Sequence, residues 1–148
     1  DRPSSADFGI YAQLTQLAKF DPTPMKLCLD HAPRVHAWTD IVDDLSGQPA
    51  EEDDWIEADG IREHLGELLS EVGRVYIPAL LANNAAIDEG QDQMDTTIDG
   101  QPWTQPTFPY QAKCLQTLRH RYFSLDQADR DGVDTVLAGT GGEAFLGN

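Results

Sequence analysis

The sequence predicts a mainly helical domain carrying one small β-hairpin. Apolar residues recur three and four positions apart over most of the chain, which is the helical period. Helix start and stop signals stand between those runs: Ser4 and Asp7 at the head, Pro22, Pro24 and Pro33 further on, Gly47 and Pro49 after them. One segment reads differently. Met94 to Ile98, then Asp99-Gly100, then Gln101 to Thr104 has the order strand, turn, strand, and Asp-Gly is the pair that a type I′ turn requires.

The first helix is expected from Ser4 to Phe20. Ser4 can accept from the Asp7 amide while the Asp7 carboxylate reaches back to the Ser4 amide, a capping box with Asp in the Glu/Gln position. That carboxylate also sits at the positive end of the helix dipole. Phe8, Tyr11, Leu14, Leu17 and Ala18 form a stripe that Ile10 widens, so this helix is expected to pack against neighbours on several sides. Asp21-Pro22-Thr23-Pro24 ends it. A short helix capped by Thr23 is expected from Pro24 to Asp30. A third runs from Pro33 to Leu45 with Val35, Trp38, Ile41, Val42 and Leu45 inward, and Ser46-Gly47-Gln48-Pro49 stops it.

The longest helical pattern spans Ile61 to Ala86. Pro78 lies inside it, removes one backbone hydrogen bond and should kink or split it near Tyr76. Gly66 and Gly73 either weaken this helix or permit close packing against another. Asp88 to Gln93 reads as a loop. In the hairpin Pro102 argues for an exposed edge. A helix from Thr107 or Pro109 to Phe123 turns Cys114, Leu115, Leu118 and Tyr122 inward. Ser124 to Gln127 reads as a second capping box, opening a last helix that ends at Gly139, and Gly139-Thr140-Gly141-Gly142 reads as a C-cap and loose tail.

A chain of 148 residues, 40% of them hydrophobic, is expected to form one compact domain over residues 1–148. It has no apolar run of membrane-spanning length and no basic–apolar–small leader. The formal net charge of -16 disfavours nucleic-acid binding, which needs clustered Lys and Arg. Acid thickens between Asp43 and Asp59, eight carboxylates without one Lys or Arg. This stretch reads as a solvated loop, a face for a basic protein partner, or adaptation to a salty medium. Cys28 and Cys114 lie in no metal or redox motif, and buried free thiols fit a cytoplasmic location.

Few motifs carry chemistry. The glycine-rich segment lacks the Lys and Ser/Thr of a P-loop. A calcium loop starting at Gln127 fails because its twelfth position is Ala138. His31, His36, His64 and His120 are scattered, and no Gly-x-Ser-x-Gly is present. No catalytic, cofactor or metal residue is therefore named. Trp103 and Tyr110 are the candidates to line a hydrophobic pocket between hairpin and helix.

Pro3-Ser4-x-Ala6-Asp7-Phe8 with its apolar helix, and Pro33-x-Val35-x-x-Trp38 about twenty-five residues later, resemble two successive elements of the glutathione S-transferase C-terminal domain. Phe108 to Arg119 is similar to the extended C-terminal part of a bacterial subgroup. The likeness is strongest over residues 3–45 and extends to 60–145. It implies the later part of that helical domain, on the electrophile side, with glutathione and thiol activation belonging to a thioredoxin-like domain of the parent protein. Ser4 and Asp7 then keep a structural role, and this chain by itself is expected to have no transferase activity. The chain does not begin with Met, which fits a fragment, an incomplete reading frame or a processed protein. The family's first helices pack around the capped helix. Without them its apolar surface is expected to drive homo-oligomerisation. The rival expectation is a non-catalytic helical assembly module with an acidic surface.

Overall fold

The computed structural model describes residues 2–45, 47–49 and 51–147. Ser46 of the expected stop, and the side chains of Glu52 and Asp59 in the acidic stretch, lie outside the described residues. The fold is mainly helical with one two-stranded antiparallel hairpin. Its contacts divide into two compact units, Asp1–Ile56 and Glu57–Asn148, where the sequence analysis expects one domain.

In the first unit, α1 (Ser5–Thr15) continues into a π-turn at Gln16–Phe20. Helix α2 (Pro22–His31) follows and is two residues longer at its start than expected. Its N-cap is Asp21, which accepts from the Thr23 amide, and not Thr23 itself. Pro22 occupies the first helical turn, where its missing N–H costs nothing. Helix α3 (Pro33–Asp43) packs on α1 and α2. The core of this unit is small: Ala18, Thr39 and Val42 are buried. No residue of α1 is buried, and Phe8 and Ile10 remain about half exposed, at 48% and 42%. The expectation that α1 is sheltered on several sides is therefore not met among the described residues of its unit, where α1 meets chiefly α3 and the π-turn that continues it. Val35 and Ile41 on α3 are exposed as well, against expectation.

The second unit is built on a long helical run. Helix α4 (Ala58–Glu71) passes through a π-turn at Val72–Tyr76 into α5 (Ile77–Asp88). Pro78 sits in the first turn of α5. It has no N–H to give to the residue four before it, and the Ile77 amide reaches back five residues to Val72. The expected disturbance near Tyr76 thus takes the form of a widened turn. Strands β1 (Gln93–Ile98) and β2 (Gln101–Pro106) pair with Ile98 opposite Gln101 and Met94 opposite Gln105. Asp99 and Gly100 both have positive φ, 51° and 73°, the geometry of a type I′ turn. Met94 is buried, and β1 packs on α5.

Helix α6 (Pro109–Ser124) lies against α5 through Ala112 and Leu115, both buried, while Leu118 is exposed where the sequence analysis turns it inward. Asn83 of α5 is fully buried and joins the two elements. Its Nδ2–H donates to the Phe108 carbonyl at 3.0 Å, and its Oδ1 accepts from the Phe108 N–H at 2.7 Å. Helix α7 (Gln127–Leu137) is capped by Asp126, which accepts from the Asp129 amide. Ser124 instead donates to the Arg121 carbonyl and closes α6. The second capping box is therefore a single Asp cap, shifted by two residues.

The glycine-rich segment is not a loose tail. Thr140 is buried, Gly142–Leu146 forms a 3₁₀ turn with Leu146 inside, and Arg119 donates to the Phe145 carbonyl at 2.7 Å. Gly73 lies directly on this segment. A Cβ there would stand 2.0 Å from the Thr140 carbonyl oxygen and 2.8 Å from the Gly141 carbonyl carbon. Gly73 thus permits close approach, although to a turn and not to a helix. Gly66, one helical row earlier, has only the Arg62 Cγ at 3.8 Å. Gly73→Ala should lower stability by roughly 3 kcal/mol through overpacking. Gly66→Ala should be neutral or gain up to about 1 kcal/mol from helix propensity. Urea unfolding of the two variants beside the parent checks the contrast.

Candidate functional site

The head of α1 carries the reciprocal hydrogen bonds expected of Ser4 and Asp7. The Ser4 amide donates to Asp7 Oδ2 at 2.8 Å, and the Ser4 hydroxyl donates to the same oxygen at 2.7 Å. Ser4 Oγ accepts from the Ala6 and Asp7 amides at 3.2 and 3.4 Å. Ser4 is extended, with φ −91° and ψ 172°, so the chain enters the helix at a fixed angle. The arrangement satisfies donors that a helix start leaves orphaned. It positions the helix and holds no reactive group.

A groove opens beside this cap. Phe8 from α1, Ile41 from the end of α3 and Leu45 just beyond it supply apolar lining, and Asp40, Asp43 and Asp44 line it as well; its volume is about 930 Å³. Tyr11 donates its hydroxyl to Asp43, which raises the Tyr11 pKa because the bond holds the phenol proton. Lys19 pairs with Asp40 at 2.7 Å and lies 3.1 Å from His36 Nδ1. The Lys19 ammonium, by hydrogen bond first and charge second, holds the Asp40 carboxyl below the usual range. This Lys19–His36–Asp40 cluster is absent from the sequence analysis. Its only signal there is the four-residue spacing of His36 and Asp40 on one helix face. Arg2 also borders the groove. Its guanidinium lies 4.6 Å from the centre of the Trp55 ring and donates to the Glu51 carbonyl.

Trp103 and Tyr110, the candidate pocket residues, do not form an enclosed pocket. They are 48% and 65% exposed. The Trp103 indole N–H donates to Gln105 Oε1 on its own strand, and the Tyr110 ring tilts against Phe108. Neither lines the groove above, nor the second cavity, of about 560 Å³, which lies between Arg62, Glu63, Gly66, Glu67 and Thr140. The spacing places both residues at the exposed junction of β2 and α6, where hydrogen bonding and ring packing are satisfied locally. Cys28 and Cys114 are free thiols of intermediate burial. Among the described residues no group of His, Cys, Asp and Glu is arranged to hold a metal ion. No helix among them is long and apolar enough to cross a membrane.

Arg74 makes the densest charge contact of the second unit. It projects from the π-turn, pairs with Glu71 at 2.7 Å and also meets the carboxylate of Asp99 at the hairpin turn. The hydrogen bond from Arg74 pulls the Glu71 pKa down. The arrangement ties hairpin to helix. Comparison with protein-family models, with curated proteins and with solved structures found no match.

Ser4→Ala and Asp7→Ala should each cost about 1 kcal/mol. The double variant should lose less than the sum, since each residue serves the other. Chemical unfolding of the four proteins reads this coupling. A carboxyl NMR titration should place Glu71 below the ordinary glutamate value of about 4.3. Arg74→Ala should return it there. Because the folded value is depressed, the pair's contribution is present above the unfolded value and lost as pH falls through the folded one.

Proposed function

We propose that this chain is the later, electrophile-side part of the C-terminal domain of a glutathione S-transferase-like protein from the bacterial subgroup with an extended tail. The reading rests on one observation, the Ser4–Asp7 lock in which both partners serve the other's backbone amide. The start of α3 at Pro33, with Val35 and Trp38 following on the helix, agrees with it. Thiol activation needs a group that accepts a proton or lowers the thiol pKa. In this reading that group, and the glutathione site, belong to the thioredoxin-like domain of the parent. This chain offers apolar surface such as the groove at Phe8 and Ile41. The exposed Phe8, Ile10 and Leu17 are then surface that other helices or a second copy covers, and the working form is a homo-oligomer in the cytoplasm.

The second reading is an assembly module without chemistry. It is favoured by the exposed apolar residues bordered by Asp40, Asp43 and Asp44.

The transferase reading is tested by calorimetry with glutathione, by an aryl-halide conjugation assay and by light scattering. The chain should show no glutathione binding and no turnover, and a mass above that of the monomer at micromolar concentration. Tight glutathione binding by this chain would overturn the division of labour. A monomeric mass would remove the oligomer.

A further inference from the structure

We infer that the groove between the head of α1 and the tail of α3 docks a basic, amphipathic polypeptide segment of another protein. Its walls are apolar and open: Phe8 is 48% and Ile41 63% exposed, and an apolar side chain of that exposure gains stability when a partner covers it. Its edge is acidic. Asp40, Asp43 and Asp44 fall within a single helical turn and a half of α3 and the residue after it, and all three are exposed. Two of them are held in place before any partner arrives, Asp40 by Lys19 and Asp43 by the Tyr11 hydroxyl. Among the described residues Asp44 makes no ion pair, and it is the carboxylate most available to an incoming cation.

The choice of partner follows from charge and shape. A groove walled by apolar side chains and edged by carboxylates is complementary to a ligand with apolar anchors and flanking Lys or Arg. A single small amine would answer one carboxylate and leave the others, whereas a peptide carries several cations at helical spacing. Glu51 and Asp54, whose carbonyls accept from Arg2 at the groove, bring further acid into the same unit. The net charge of -16 steers any basic partner toward the protein, but the groove supplies the place where apolar anchors are buried. This docking rests on the reading of the chain as an assembly module and competes with the transferase reading for Phe8, which the latter places under other helices or a second copy.

The test is fluorescence anisotropy with a labelled amphipathic peptide of Lys and Leu, about 15 residues long, enough to form a helix on binding. It is run at physiological salt, where exposed charges are screened. The groove variant is Ile41→Ser with Asp44→Asn. Its matched control is Leu68→Ser with Glu89→Gln, which removes the same kinds of group from exposed positions in the second unit. The groove variant should bind roughly tenfold more weakly, about 1.4 kcal/mol, and the control within about twofold of the parent. Asp44→Lys alone, at an exposed position that does not endanger folding, should weaken binding by a similar factor. A peptide of Lys and Ser should bind far more weakly and respond equally to both variants. Equal weakening by groove and control variants, or no binding of the Lys–Leu peptide by the parent protein, would overturn the docking site.

Discussion

Pro78 has no amide hydrogen, and the second unit is organised around that lack. The long helix cannot run regularly past it, so the turn at Val72–Tyr76 widens and the Ile77 amide reaches back to Val72. That widened turn carries Gly73 and Arg74. Gly73 meets the backbone of Thr140 and Gly141 so closely that no side chain fits between them. Arg74 reaches both Glu71 and the hairpin turn at Asp99. One missing donor thus lies beside the contacts that fix the C-terminal turn and the hairpin to the same helix. A π-turn of this kind in the middle of a helix has a local cause and a long-range use.

The two units differ in how much they bury. The second has a contiguous core from α5, β1, α6 and the final turn, in which Leu80, Met94 and Leu115 are nearly inaccessible. Burial of a side chain of that size contributes about 1.5–3 kcal/mol. The first unit buries mainly small groups, Ala18, Thr39 and Val42, and leaves Phe8, Ile10, Leu17 and Phe20 in contact with solvent. Its local geometry is nevertheless well specified: Ser4 with Asp7, Asp21 with Thr23, and Pro33 at the first turn of α3. Local hydrogen bonds therefore set where these helices begin, while their apolar faces remain available for partners. Both the transferase-like reading and the docking groove draw on this imbalance between strong caps and a thin core.

Much of the helical and hairpin layout was legible because its causes are local. A Ser and an Asp three residues apart, a proline before a helical stripe and an Asp-Gly pair act over a few residues and need no distant partner. The errors are local competitions that sequence alone leaves balanced. Asp21 outcompetes Thr23 as a cap because Pro22 already fits the first turn, and Asp126 serves where Ser124 was expected because α6 runs on through Ser124. For Trp103 and Tyr110 the reason is different. Nearness of Trp103 and Tyr110 along the chain does not fix which way their rings face, and both remain exposed.

The chain by itself determined the cap of the first helix, the break in regular helix before Pro78, the type I′ hairpin and a strongly acidic balance, since each follows from bonding capacity, steric limits or charge of residues close in sequence. Tertiary structure alone decided which apolar residues are buried, that Thr140 and Gly142 are packed inside while Gly139 and Gly141 stay exposed, and that Phe8, Ile41 and Asp44 border one groove. Those outcomes depend on segments far apart in the chain meeting. Apolar attraction has no direction of its own, so only the packed backbone selects which of many apolar faces is covered.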